Sequence, residues 1–304
     1  MKRILLLMCC IILLFTSVAM AEVAPEKVYD LSVSDGKLGI WFLSLTGEDH
    51  TGESIFIRTP NGFTVLIDGG TPEAGAQVNE ALEKLNVDKI DVMIATHMHI
   101  DHIGGLASVI AQHEVGTLYV SPLTDYQTNA VASFKSAAAA KQLSLTVAIA
   151  GDRFLLDGIS FDFLSPVDKY DGMTQKQMTE RVLNDSSLVF VMTYGEIRIL
   201  FCGDITRMVE TDLVEQYGDE LKADLIKIGH HGSVDASSRE FVETVAASNG
   251  VMCIYAFNDF SIYDRYKKVG NRPYVTSIDG CVLYVTDGQE ECFYTEKERK
   301  GALK

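Results

Sequence analysis

The side chains best suited to chemistry are clustered. His97, His99 and His102 surround Asp101 in the run Thr96-His97-Met98-His99-Ile100-Asp101-His102-Ile103-Gly104-Gly105. His230 and His231 are adjacent and precede Gly232-Ser233, so only His50 and His113 of the seven histidines stand apart. Imidazole nitrogens and carboxylate oxygens at such short spacing form ligand sets for first-row transition metals. The apolar run Ile90–Ala95 predicts a strand. At its end, His97 and His99 are two residues apart and project to one side. Asp101 and His102 fall in the following turn, where the chain changes direction. Gly104 and Gly105 let the next helix begin close to them.

The flanking sequence predicts the elements that hold this turn. Leu38–Leu45, Ser54–Thr59 and Phe63–Asp68 read as strands, with Pro60-Asn61-Gly62 as a turn. Glu73–Leu85 carries apolar residues at helical spacing. Helices over Leu106–His113 and Ala130–Lys141 then alternate with strands over Thr117–Val120 and Leu143–Ala148. The second half repeats the pattern in part. Phe154–Phe163 is a hairpin, and Leu188–Tyr194 and Arg198–Phe201 are another about Gly195-Glu196. The helix Met208–Tyr217 leads to the strand Leu225–Ile228 and the helix Arg239–Ala247. Strands Val251–Ala256, Cys281–Val285 and Glu291–Tyr294 follow. Two halves of this kind predict two sheets packed together with helices outside.

The chain has 304 residues, 47% of them hydrophobic, which is globular composition. Its net charge of −16 argues against a basic stripe and tight binding of duplex nucleic acid. Met1-Lys2-Arg3, the apolar run Ile4–Phe15 and Ala19-x-Ala21 predict a signal peptide cleaved after Ala21. Residues 22–304 are then expected to form one secreted or periplasmic domain with no membrane span. Cys281 and Cys292 flank a turn and are placed to face each other across a hairpin, a pairing that an oxidising compartment permits.

The histidine turn resembles the signature of the metallo-β-lactamase superfamily, and the resemblance extends along most of the chain. Thr64–Gly70 is similar to that fold's first motif, a strand ending in Asp68. Ile199–Asp204 is similar to the strand that delivers a carboxylate bridging two metals. Within the superfamily, Asn184-Asp185-Ser186-Ser187-Leu188-Val189 and Lys227-Ile228-Gly229-His230-His231-Gly232-Ser233 resemble elements of the hydrolase domain of ComEC-type DNA-uptake proteins. They also resemble elements of its secreted, phosphorylcholine-esterase-like relatives. Two segments depart from that pattern. The relatives' Asp-Val-Gly-Gln-Gly-Asp is replaced by a longer stretch over Ser44–Ser54, and the segment around Asn258-Asp259-Phe260 lacks its usual histidine. The metal core is kept while the substrate rim differs.

The resemblance implies an α+β fold, a four-layer αββα sandwich of two mixed sheets packed face to face with helices outside. It implies two divalent ions, zinc first and manganese second. His97 and His99 would hold one ion, Asp101, His102 and His231 the other, with Asp204 bridging and Asp68 orienting a ligand from behind. Asn184, Ser187 and Ser233 are expected at the substrate. Asp101, Asn184, Lys227 and His230 are expected to assist the reaction, His230 as a proton donor or a contact to a phosphate oxygen and Lys227 as added positive charge or as a cap on its strand. Adjacency alone leaves open which of His230 and His231 is the ligand. The expected activity is that of a phosphodiesterase or nuclease-like enzyme, metal-dependent hydrolysis of a phosphodiester in a nucleic-acid-like, phosphoester-containing or small-molecule substrate. A lactonase or β-lactamase on the same site is the alternative, and a non-catalytic extracellular binding protein is a third reading.

Overall fold

A computed structural model describes residues 21–47, 50–170 and 172–300. The expected signal peptide lies outside these residues, apart from Ala21. The first seven strands build one sheet: β1 (Glu22–Val23), β2 (Leu38–Phe42), β3 (Ile55–Arg58), β4 (Thr64–Ile67), β5 (Lys89–Ala95), β6 (Glu114–Val120) and β7 (Leu145–Val147). The next seven build the second: β8 (Arg153–Leu156), β9 (Ile159–Ser165), β10 (Val189–Tyr194), β11 (Ile197–Phe201), β12 (Leu225–Lys227), β13 (Asn249–Met252) and β14 (Arg272–Val275). The chain then returns to the first sheet with β15 (Val282–Thr286) and β16 (Glu291–Thr295). The sheet orders are β1-β16-β15-β2-β3-β4-β5-β6-β7 and β14-β13-β12-β11-β10-β9-β8. In each sheet an antiparallel part passes into a parallel part, β4 to β7 in the first and β11 to β14 in the second.

Strand periodicity assigns the faces. In β2, β3 and β4, Ile40, Phe42, Ile55, Ile57, Val65 and Ile67 pack against Phe161, Phe163, Phe190, Met192, Ile199 and Phe201 of the second sheet. The alternating residues Trp41, Phe56 and Leu66 face the opposite way, into a separate apolar cluster. Among the described residues ten helices flank the sheets: α1 (Pro25–Val28), α2 (Gly75–Lys84), α3 (Ile100–Ile103), α4 (Leu106–Gln112), α5 (Asn129–Ala140), α6 (Glu180–Asp185), α7 (Arg207–Tyr217), α8 (Arg239–Val245), α9 (Ser261–Lys268) and α10 (Thr276–Asp279). Val78 and Leu82 of α2, Val109 of α4 and Phe134 of α5 cover the outer face of the first sheet. Val209 of α7, Phe241 of α8 and Tyr266 of α9 cover the second. The layers run helix, sheet, sheet, helix, as expected. Among the described residues no helix is long and apolar enough to cross a membrane.

Several boundaries differ from the sequence reading. The strand expected over Val251–Ala256 stops at Met252, because the Cys253 carbonyl turns to accept a hydrogen bond from His231. Cys281 and Cys292 are free thiols. Register explains why: Val285 stands opposite Cys292 and Val282 opposite Thr295, so the two cysteines are never across from one another. The strand β14 contains Pro273 and lies at a sheet edge, where a missing backbone N–H is tolerated.

Candidate metal centre

The site lies where strand ends of both sheets meet. Asp68 follows β4 with a left-handed backbone (φ 57°) and is fully buried. Its carboxylate accepts the backbone N–H of Thr96 at 2.8 Å and the Thr96 hydroxyl at 2.6 Å, which ties β4 to the turn after β5. The same carboxylate accepts the Nδ1–H of His102 at 2.8 Å. That bond aims His102 Nε2 at Asp204 Oδ2 and His231 Nε2, each 3.2 Å away. His231 is held in the same manner. Its Nδ1–H donates to the Cys253 carbonyl at 2.8 Å, leaving Nε2 3.1 Å from Asp204 and 3.4 Å from Asp101. Hydrogen-bonding the far ring nitrogen fixes tautomer and orientation, a common arrangement behind metal-ligating histidines.

His97 is buried, and its Nε2 lies 2.9 Å from His99 Nδ1. The outer nitrogen of His99 faces Glu180 at 2.8 Å. His230 and His231 both have φ near +50°, the left-handed region non-glycine residues seldom occupy. This turn sends the two rings in different directions. His231 enters the cluster, whereas His230 lies at the cavity beside it, with Nδ1 2.8 Å from Asp235 and Nε2 3.3 Å from Asn184 and 4.0 Å from Asp204. Gly52 packs on the loop from outside, where a Cβ would lie 1.6 Å from the Asp101 carbonyl oxygen.

Glu53, His102, Asp204 and His231 offer ligand atoms that all lie within 4.8 Å of one another. Glu53 was missed by sequence reasoning, although Gly52-Glu53 keeps the glycine–acid ending of the altered segment. Its partner is Lys227, with Nζ 2.5 Å from Oε2 and both side chains 1% exposed. The sequence placed Lys227 at the reaction or as a strand cap; it is buried beneath the cluster, where its ammonium donates to the Ile228 carbonyl at the strand end at 2.9 Å and pairs with Glu53. Ser187 was likewise expected at the substrate. It is fully buried, and its Oγ accepts the backbone N–H of Asp204 at 3.1 Å, so it braces the loop that carries that carboxylate.

The local field favours cations. Burial opposes charge on His102 and His231, but neighbouring carboxylates, Asp204 foremost, outweigh it. They lift His102 well above the usual imidazole range and His231 to about 10. Burial alone would raise Asp204 and Asp101, yet the histidines hold both well below the usual carboxylate range. His97, beyond that balance, is lowered by burial and by the charge on His102. With Lys227 committed to Glu53, the carboxylates of Asp68, Asp101 and Asp204 have no cationic Lys or Arg partner among the ion pairs of the described residues. Asp204 Oδ1 is buried without any hydrogen-bond partner. Buried charge of this kind calls for a counter-ion, and divalent metal ions fit the donor set.

Two cavities open on the cluster and share Asp101 and His230. The larger, about 670 Å³, is bordered by His99, Asn184 and Asp204 and by four residues not singled out from sequence: Glu180, Arg181, Arg207 and Asp235. The smaller, about 450 Å³, is bordered by Ser233, Val234, Ile254 and Tyr255, with His50 from the altered segment. The local sequence gave His50 no signal, because its neighbours at the site come from a distant loop.

Fold and centre define a metallo-hydrolase. The chain matches the Metallo-beta-lactamase superfamily over residues 48–254, well over half its length, and it belongs to that family. Competence protein ComA of Neisseria gonorrhoeae is 25% identical over 268 residues, covering 86% of this chain and 33% of the relative. ComE operon protein 3 of Bacillus subtilis is 24% identical, covering 66% of this chain and 27% of the relative. Endoribonuclease YSH1 of Saccharomyces cerevisiae is 25% identical, covering 57% and 24% respectively. The chain thus spans a third or less of the length of these relatives, and the resemblance to the ComEC-type branch is borne out.

Proposed function

We propose that the chain hydrolyses phosphodiesters at a dinuclear metal site and acts outside the cytoplasm. The observation that carries the reading is the convergence of His102, Asp204 and His231, backed by Asp68 and the Cys253 carbonyl, with Asp204 on the wall of a cavity edged by Arg181 and Arg207. His97, His99, Asp101, His102, Asp204 and His231 would hold the ions, with Glu53 adjoining the second set. Two divalent ions, zinc first and manganese second, supply Lewis acidity and a water acidic enough to attack near neutral pH.

The chain's own groups do the rest. Asn184 Nδ2 can donate to a phosphoryl oxygen at the cavity wall. His230, held by Asp235, can deliver a proton to the leaving oxygen. The guanidinium groups of Arg181 and Arg207 suit phosphate. The relative named an endoribonuclease supports the same class of bond. Metal-loaded protein should cleave bis(4-nitrophenyl) phosphate, and His99→Ala and Asp101→Ala should abolish turnover without unfolding the chain. A metal-replete protein inert to a panel of phosphodiesters overturns the reading.

A further inference from the structure

The two cavities that meet at the metal cluster differ in character. The larger carries both arginines of the cleft beside the expected metal ligands Asp101 and Asp204, and its other acids face histidines, Glu180 opposite His99 and Asp235 opposite His230, each at 2.8 Å. Arg181 is 62% exposed, and its nearest carboxylate, Asp185, stands 3.5 Å away. Arg207 donates to the Val234 carbonyl and so stands at the boundary between the cavities. Among the described residues the smaller cavity has no Lys or Arg on its wall. Its wall is Val234, Ile254 and Tyr255, and the Tyr255 and His50 rings meet edge to face at 5.0 Å. Asn258 and Asp259 add hydrogen-bonding groups at its rim. At about 450 Å³ it falls in the size class of small-molecule sites, about 300–1,000 Å³.

We propose that the cleft is polarised, with the Tyr255–His50 side receiving an uncharged aromatic leaving group and the Arg181–Arg207 side receiving a second anionic group of the same substrate. This rests on the phosphodiesterase reading and adds a direction to it. A phosphodiester lying across Asp101 and His230 then has its leaving oxygen towards Tyr255. One water is consumed: its oxygen bonds to phosphorus as the bond from phosphorus to the leaving oxygen breaks, one of its protons ends on the leaving oxygen and the other on the new phosphomonoester. The aromatic alcohol departs through the smaller cavity, and the phosphomonoester remains beside the arginines. Aromatic groups are favoured on this side because a ring stacks on Tyr255 and His50 without needing a counter-charge.

Binding and turnover together test the proposal on the full chain. Saturation-transfer NMR on chelator-treated protein, with adenosine, 4-nitrobenzyl alcohol and cyclohexylmethanol as separate probes, reads the aromatic side without metals or hydrolysis. Both aromatic probes, or adenosine alone if the rim groups select a nucleobase, should receive saturation that cyclohexylmethanol does not. Tyr255→Ala should remove it and Tyr255→Phe retain it. In metal-loaded protein, Tyr255→Ala should raise KM for a thymidine dinucleotide about tenfold, the size of one base–aromatic stack. Arg181→Ala with Arg207→Ala should erase any KM advantage of the 5′-phosphorylated dinucleotide over the unphosphorylated one. If bis(4-nitrophenyl) phosphate is cleaved but no aromatic probe binds and Tyr255→Ala leaves KM unmoved, the polarised cleft is wrong and the phosphodiesterase reading stands. If no phosphodiester is cleaved at all, both fall together.

Discussion

Lys227 gives the sharpest test of how the centre is built. Its ammonium is 1% exposed, lies 2.5 Å from Glu53 Oε2 and donates to the Ile228 carbonyl at 2.9 Å. Burial opposes the charge, yet the Glu53 carboxylate holds the ammonium above its ordinary range. Replacing Lys227 with Met keeps the volume and removes the charge. It leaves Glu53 beside Asp204 with His231, 3.4 Å away, as its remaining cationic neighbour, and breaking one side of such a pair costs about 3–5 kcal/mol. The lost bond to Ile228 adds about 1 kcal/mol. In a chain of this size each kcal/mol moves the melting temperature by about 2–4 °C, so Lys227→Met should lower it by roughly 8–24 °C. The double variant Glu53→Gln with Lys227→Met should recover most of the loss, because no charge is then left unpaired. Thermal and urea unfolding of metal-free protein, followed by circular dichroism, supply the measurement. A single variant within about 1 kcal/mol of the parent refutes the buried-pair account. So does a double variant no more stable than Lys227→Met.

Other perturbations reach the same centre from different sides. Asp68→Asn weakens the bond that orients His102 and should reduce metal affinity about 10–100-fold in a competition titration with a chromophoric chelator; an unchanged affinity contradicts its orienting role. Removing metal should lower the melting temperature and returning zinc should restore it, by about 2.7 kcal/mol at a hundredfold excess over Kd. A chelator without effect on stability would argue against a resident ion. Ser187→Ala removes the acceptor of the Asp204 N–H and should lower stability by about 1 kcal/mol with KM unchanged; a raised KM would return Ser187 to the substrate. Gly52→Ala places a methyl on the Asp101 carbonyl at a φ of +76°, and should destabilise by more than about 2 kcal/mol and reduce turnover. Nitrocefin should be a poor substrate throughout, and efficient hydrolysis of it would favour the β-lactamase-like alternative.

The parts of the site legible in the sequence were those made by contiguous residues at strand ends. His97 and His99 meet in the loop directly after β5, two residues apart, and Asp68 and Asp204 each close an apolar run whose strand character is local. Paired sheets with outer helices followed from the same periodicity. The unread parts depend on which distant loop arrives opposite. Nothing near Lys227 announces that Glu53 will meet it, so a lysine three residues before a histidine pair looked like free charge. Ser187 looked like a substrate donor until the Asp204 backbone was placed against it. Arg181 and Arg207 begin helices that carry no metal ligand, and only the cavity between those helices gives them a common purpose.

The same contrast separates what the fold supplies from what this chain adds. The ligand turns are stabilised from within the two sheets, by Thr96 against Asp68 and by Ser187 against Asp204, so the centre is rigid before any substrate arrives. The walls of the cleft come from the irregular stretches around His50 and Tyr255 and from the starts of α6 and α7, whose composition is free to vary without disturbing those bonds. Loops on a rigid scaffold are where selectivity is usually placed. Here the two segments that depart most from the relatives' pattern, Ser44–Ser54 and the stretch around Asn258, both border the smaller cavity. The departures noticed in the sequence therefore lie on the wall that would meet the leaving group. A substrate different from that of its relatives requires change in that wall and none in the histidine cluster.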